Sequence, residues 1–232
     1  MSSRDDHTTL FRQSWSLYDA IAAENYMFHR ELYARVAELL KKRSEKGPYS
    51  ILDLGCGNAR FLAPCLQSSP PESYTGVDLS SVALEEAEEY LKDVPRVSLR
   101  NQDMLEEVAE AEAVYDLIFT GYAVHHLSPD AKQQLFHSCA SRLAPGGEII
   151  MVDVLRGEGQ SRESYLQEYI GIMNDQWTAV KREYIEEACA HVAAHDFPET
   201  FTNLVRMAET AGLLRIQLLA HFSQHHLIVF GS

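Results

Sequence analysis

A mostly apolar run, Tyr49 to Leu54, passes directly into Gly55-Cys56-Gly57, and a helical pattern opens after it at Arg60. Such a strand, turn and helix junction uses glycines because a side chain would keep the backbone from closing around a ligand. Asp53 stands two residues before the first glycine. The dinucleotide fingerprint G-x-G-x-x-G wants a glycine at position 60, where this chain has Arg60. The turn is therefore of another kind.

Beyond it, apolar strand patterns alternate with helical ones, which is what a parallel doubly wound sheet requires. The pattern predicts strands at Ser50–Leu54, Tyr74–Asp78, Val97–Asn101, Leu117–Thr120 and Glu148–Val154. Helices are expected near Arg60–Gln67, Ser81–Lys92, Glu106–Glu112 and Pro129–Leu143. Ser128 before Pro129 reads as an N-cap with proline at the first helical position. Pro145-Gly146-Gly147 reads as a turn, and Pro64 should bend the helix that contains it. Ahead of the sheet, Leu10 to Lys42 has helical period up to Gly47-Pro48.

After the fifth strand the alternation stops. Residues 157–197 hold two helical patterns, one with Tyr165, Tyr169 and Met173, the other with Tyr184, Ile185 and Ala188. A helix at Glu199–Ala211 and strands at Leu213–Leu219 and His226–Phe230 follow. The expectation is one α/β domain over 1–232: N-terminal helices over 1–48 and a seven-stranded doubly wound core over 49–155 completed by 199–232. An inserted helical cap over 156–198 would enclose a pocket.

The formal charge of −14 argues against a nucleic-acid footprint or an anionic membrane surface as partner. Lys41, Lys42 and Arg43 read as the solvated end of a helix. Four scattered cysteines without a C-x-x-C pair fit a reduced compartment. No apolar run approaches the ~20 residues of a membrane span, so a cytoplasmic protein, monomer or homodimer, is expected.

In an open α/β sheet, ligands sit outside the strand carboxyl ends where strand order reverses. Gly55, Cys56 and Gly57 end the first strand, and Asp53 could meet a cationic amino group there. Asp78, followed by Leu79, ends the second strand, where a carboxylate can accept from ribose hydroxyls. Asp103 and Met104 follow the third strand and could take an adenine ring. Thr120, Gly121 and Tyr122 close the fourth. Asp78 and Asp103 could equally be helix N-caps.

Taken together, Asp53-Leu54-Gly55-Cys56-Gly57, Gly76-Val77-Asp78-Leu79-Ser80, Gln102-Asp103-Met104, Tyr115-Asp116-Leu117-Ile118-Phe119 and Leu143-Ala144-Pro145-Gly146-Gly147 resemble consecutive motifs of class I S-adenosylmethionine (SAM) methyltransferases. The family's third glycine is Ala59 here. The resemblance covers roughly residues 50–154 and implies a Rossmann-like fold. It implies SAM as cofactor, with S-adenosylhomocysteine as product. Gly55 and Gly57 would hold the methionine end, Asp78 the ribose, Asp103 and Met104 the adenine, and Thr120 would pass beneath the methionine part. Asp116 is expected to keep the fourth strand in register.

The segment Tyr18-Asp19-Ala20-Ile21-Ala22 resembles the Tyr-Asp-x-x-Ala segment of small-molecule methyltransferases, whose aromatic residues close over SAM. Tyr18, Tyr26 and Arg30 are the candidates here, although Tyr26 and Arg30, one helical turn apart, could simply pack and solvate a helix. His125 is the candidate general base, since an imidazole titrates near neutrality; the His125-His126 pair could also be a structural loop element. Tyr122, Tyr165, Tyr169, Trp177 and His195 are candidates to line an acceptor site. Asp196 and Glu199 resemble a capping box. His191 and His195 share a helix face but lack a visible third ligand, so no metal is expected. The expected reaction is methyl transfer to oxygen or nitrogen of a small molecule. The rivals are a macromolecular acceptor and a non-catalytic SAM-binding module.

Overall fold

The computed structural model describes residues 20–110 and 112–232. Helix α1 (His29–Ser44) leads into β1 (Ser50–Leu54), α2 (Ala63–Ser68), β2 (Ser73–Asp78), α3 (Ser81–Leu91), β3 (Val97–Asn101), α4 (Met104–Glu110) and β4 (Tyr115–Gly121). A 3-10 turn at Val124–His126 precedes α5 (Pro129–Arg142) and β5 (Leu143–Val154). The cap helices α6 (Arg162–Gln176) and α7 (Arg182–His195), then α8 (Phe201–Thr210), β6 (Arg215–Phe222) and β7 (His225–Gly231), complete the order.

The sheet has seven strands in the order β3-β2-β1-β4-β5-β7-β6. All neighbours are parallel except β7, which runs antiparallel to both β5 and β6. Strand order reverses between β1 and β4, so the crevice outside their carboxyl ends is where a ligand belongs. Alternate strand residues feed two cores. On one face Ile51, Tyr74, Leu117 and Phe119 pack with Leu32, Leu40, Leu66 and Leu91 of α1, α2 and α3. On the other, Leu52, Leu54, Val77 and Ile118 pack with Val108, Phe136 and Leu204 of α4, α5 and α8. This period of two, apolar on both sides, is what a sheet covered on both faces demands.

Asp116 acts at the start of β4. Its Oδ2 accepts from Ser50 N at 2.8 Å and from Ser50 Oγ at 3.0 Å, which ties β4 to β1. Arg43 closes the pair at 2.7 Å, so this member of the basic cluster is a strut and not merely solvated. Burial raises the Asp116 pKa, but the Ser50 and Arg43 bonds outweigh it and hold the carboxyl below its ordinary value.

Several local expectations change. The helical pattern ahead of the sheet is not continuous: residues 20–23 are helical, and the chain then breaks, with Asn25 at φ 60° and Phe28 at φ 56°, before α1 starts at His29. Tyr26 and Arg30 are therefore not on one helix. Helix α2 begins three residues later than expected, at Ala63, so Pro64 sits in its first turn and starts it instead of bending it. Pro145-Gly146-Gly147 is not a separate turn but lies within β5, where the register with β4 shifts between Tyr115 and Leu117. Ser128 does cap α5, accepting from Ala131 N at 3.3 Å.

The cap, inserted after β5, is held by a third cluster of Tyr165, Tyr169, Met173, Trp177, Ile185 and Ala188 with Ile21. Its two ends meet: Arg156 N donates to Glu199 O at 3.0 Å, and Arg156 Nε to Pro198 O at 3.0 Å. The helix after it is capped by Thr200, which accepts from Asn203 N at 3.1 Å; the expected Asp196 and Glu199 capping box does not form.

Candidate functional site

The glycine turn stands at the reversal point. Gly55 has φ +73°, and a Cβ there would lie 2.5 Å from Ala123 Cβ and 4.0 Å from Met104 Sδ. The turn after β1, the residue after β3 and the segment after β4 are thus brought to one place. Gly55 N and Cys56 N both donate to Val77 O, at 2.9 and 3.0 Å, which folds the turn back over β2. Cys56 points inward, its Sγ 3.0 Å from where a Cβ on Gly76 would be.

Asp78 closes the turn from the second strand. Its Oδ2 accepts from Gly57 N at 2.8 Å and its Oδ1 from Ser80 N at 2.8 Å. The N-cap of α3 is Ser80, which accepts from Ala83 N, so the carboxylate of Asp78 is not consumed by a helix end. With two lone pairs per oxygen, two acceptor positions remain for a diol. Asp103 takes the other alternative: its Oδ1 accepts from Leu105 N at 2.8 Å and Glu106 N at 3.3 Å, capping α4. That cap uses one oxygen of the two. Leu79 is 53% exposed at the rim of the turn.

Asp53 is buried, with Oδ2 accepting from Tyr74 Oη at 2.7 Å and Oδ1 without a hydrogen-bond partner among the described residues. Burial pushes its carboxyl up to about 7, against the lowering effect of the Tyr74 bond. A buried acceptor with an unused oxygen, beside a turn that admits no Cβ, suits the ammonium end of an amino-acid cofactor.

Other expected residues lie elsewhere. Thr120 is buried and lines a small apolar void with Leu54, Leu135 and Phe136. Gly121 is covered by Tyr33, whose hydroxyl stands 2.5 Å from a Cβ position there. Tyr122 is buried at φ 55°, donates its hydroxyl to Met27 O, and lies against His29. Arg30 is exposed and reaches Ala23 O at 3.3 Å. Tyr26 stacks on Trp177, with centroids 5.2 Å apart and planes at 7°, and its hydroxyl accepts from Ala179 N at 2.8 Å. Tyr18 lies outside the described residues.

Tyr165, Tyr169 and Trp177 are buried in the cap cluster. Their rings pack on one another, Tyr165 and Tyr169 with centroids 5.5 Å apart and Tyr169 and Trp177 6.1 Å apart. Tyr169 also approaches His225 Nε2 at 3.5 Å across the sheet edge. His195, partly exposed, has its ring 4.9 Å from that of His191.

His125 is buried and rigidly held. Its N–H donates to Asp153 Oδ2 at 2.9 Å, and its Nδ1 lies 2.5 Å from Asp153 Oδ1. Nε2 faces Asp196 Oδ1 at 3.7 Å. Burial opposes a charge on this ring, but the carboxylates of Asp153 and Asp196 outweigh it and raise its pKa above 6.5. An imidazole tied to one carboxylate, with Nε2 turned to a second, is poorly placed to take a proton from an acceptor. The general-base role expected for His125 does not fit this geometry. Asp153 was not singled out in the sequence, and Asp196 only as one half of a capping box. Asp153 carried a signal, standing at the carboxyl end of the fifth strand, whereas Asp196 arrives only through the fold of the cap.

Residues 51–147 match the methyltransferase domain family. Over this stretch the chain is similar to methyltransferase domains. It is 32% identical over 145 residues to malonyl-[acyl-carrier protein] O-methyltransferase of Halalkalibacterium halodurans, covering 60% of this chain and 51% of that protein. It is 33% identical over 122 residues to trans-aconitate 2-methyltransferase of Acidovorax ebreus, covering 53% and 45%. The chain thus spans about half the length of these curated relatives. Magnesium protoporphyrin IX methyltransferase from Synechocystis, solved with bound S-adenosylhomocysteine, superposes with a TM-score of 0.68 at 13% identity, over 99% of both chains. At that identity the likeness concerns the fold: a Rossmann-like α/β sheet. Among the described residues, no helix is long and apolar enough to cross a membrane.

Proposed function

We propose that this protein is a SAM-dependent methyltransferase, cytoplasmic and monomeric or homodimeric, that methylates an oxygen or nitrogen atom of a small molecule beneath the helical cap. The observation that carries the reading is the turn itself: Gly55 without room for a Cβ, Asp78 bonded to Gly57, and the unused oxygen of Asp53, all at the reversal of strand order. When bound, SAM supplies a methyl group made electrophilic by its sulfonium.

The chain's own part is to bind and orient. Asp53 Oδ1 receives the amino group, the remaining lone pairs of Asp78 receive the ribose hydroxyls, and Met104 and Asp103 flank the adenine. On the acceptor side, Tyr122, Tyr165, Tyr169, Trp177 and His195 are the residues that would line an acceptor site. Since His125 is tied to Asp153 and faces Asp196, the reading relies on positioning and exclusion of water and not on a general base. Two of the curated relatives are named O-methyltransferases and one an N-methyltransferase, in keeping with an oxygen or nitrogen acceptor. The charge of −14 favours a small acceptor over a nucleic acid.

Calorimetry with SAM and then S-adenosylhomocysteine tests the cofactor assignment. Binding of both is expected; no heat from either at about 1 mM, the weakest affinity of interest, ends the reading. Labelled methyl transfer to a panel of small carboxylic acids, phenols and amines then separates an enzyme from a module that binds SAM without turnover.

A further inference from the structure

Three groups meet outside the glycine turn. His125 and His126 lie on the 3-10 turn after β4, and Asp196 is the C-cap residue of α7 in the cap. A ligand atom from each lies within 4.8 Å of the other two. His125 Nε2 is 3.7 Å and His126 Nδ1 3.6 Å from the same oxygen, Asp196 Oδ1. Both separations are too long for hydrogen bonds, and Asp196 Oδ1 is buried without a hydrogen-bond partner among the described residues. Asp196 as a whole is 3% exposed.

Such spacing has a ready chemical meaning. Two ligands at ~2.1 Å from one tetrahedral ion stand about 3.4 Å apart, within a few tenths of an ångström of both observed edges. His125 also has the support that metal-bound histidines have, its other ring nitrogen held by a carboxylate, Asp153 Oδ1 at 2.5 Å. His126 Nδ1 stands 3.3 Å from His195 O, to which it donates when no ion is bound; a metal at Nδ1 would displace that proton.

The position of Asp196 is fixed independently of any ion. Phe197 N donates to His125 O at 2.7 Å. Arg162 Nε donates to Asp196 O at 2.7 Å, with its guanidinium 4.5 Å over the Phe197 ring. Buried Lys132 donates to Phe197 O and pairs with Glu199 at 3.4 Å. The carboxylate is thus aimed at the two imidazoles by bonds that would hold it there even at a cost.

We propose that His125, His126 and Asp196 form a binding site for a divalent transition-metal ion of the zinc or cobalt type, which pins the end of cap helix α7 to the turn after β4. Two imidazoles and one carboxylate select such an ion over magnesium or calcium, which prefer oxygen ligands. His126, the most exposed of the three at 28% of its side chain, gives the ion its way in and leaves a coordination position for water. The site is separate from the glycine turn, so it does not rest on the assignment of SAM.

The test uses the full chain freed of metal by a chelator. Titration with zinc chloride is expected to give saturable one-to-one binding and a raised Tm, and cobalt(II) is expected to give the visible absorption of a four-coordinate ion. Asp153→Asn should weaken zinc about 10–100-fold, the usual effect of losing the partner behind a ligating histidine. Asp196→Asn and His126→Gln should weaken it further, while His137→Gln, at an exposed histidine on α5, should leave it unchanged. Failure of the parent protein to bind zinc and cobalt stoichiometrically overturns the proposal, whatever the variants do. So does binding that survives both Asp196→Asn and His126→Gln in variants whose circular dichroism is that of the parent.

Discussion

Gly55 and Gly146 offer a controlled comparison, because their φ angles are nearly equal and their surroundings differ. Their φ values are +73° and +76°, yet a Cβ on Gly55 meets Ala123 Cβ at 2.5 Å, while one on Gly146 meets no described atom within 4 Å. Alanine in the left-handed region costs about 1–2 kcal/mol, a cost common to both sites. The stiffer unfolded chain returns about 0.4–1 kcal/mol, again at both. Gly55→Ala adds the collision. Reaching ordinary contact near ~3.5 Å requires a shift of about 1 Å, and the obstacle is a Cβ fixed to backbone, not the tip of a flexible side chain. Such overpacking costs about 1–3 kcal/mol. Gly55→Ala should therefore unfold in urea with a ΔG lower than that of Gly146→Ala by about 1–3 kcal/mol at unchanged m-value, and it alone should lose affinity for SAM. Equal midpoints for the two variants would refute the claim that steric closure, and not conformation alone, fixes glycine at position 55.

Asp78→Ala should weaken SAM binding by about 1.5–3 kcal/mol, the scale of a hydrogen bond to a charged group, and calorimetry giving parental affinity removes Asp78 from the ribose role. Asp116→Ala leaves Ser50 N without its acceptor and Arg43 without its carboxylate, and should lower stability by about 1–3 kcal/mol in urea unfolding, with Asp116→Asn intermediate. His225 is buried, and burial first, then neighbouring His29, His226 and His125, lowers its pKa from 6.5 to about 3. The unfolded chain therefore binds a proton that the folded one refuses, so this residue's stability is intact above pH 6.5 and lost progressively as pH falls toward 3. His225→Gln should flatten the fall in urea midpoint between pH 7.5 and 5 relative to the parent, and an unchanged slope refutes the assignment.

Much of the fold was legible because its signals are local. Ser50–Leu54 and Val97–Asn101 form as expected, and the apolar alternation of β1, β2, β4 and β5 left little else for them to be. Ser128 and Pro129 fixed the start of α5 through backbone chemistry within four residues. What escaped was long-range. The chain break at Asn25 and Phe28 sits in a segment with helical period, and the stacking of Tyr26 on Trp177 across 151 positions overrides that propensity. Asp196 with Glu199 has the spacing of a capping box, yet the carboxylate is drawn to His125 and His126 by the way the cap closes. Tyr33 covering Gly121, and Asp153 behind His125, likewise depend on neighbours in space that spacing along the chain does not encode.

The joined ends of the cap have a consequence for how such a protein can change. Arg156 and Glu199 are bonded at the base, so the forty-odd residues between them leave and rejoin the sheet at one point, like a bag on a drawstring. Doubling the length of a closed loop adds only about 0.6 kcal/mol to its closure entropy. The contents of that bag can therefore be enlarged, shortened or exchanged at little expense to the seven strands, so that a new acceptor can be acquired by rewriting one excursion while the seat beside Gly55 stays as it is.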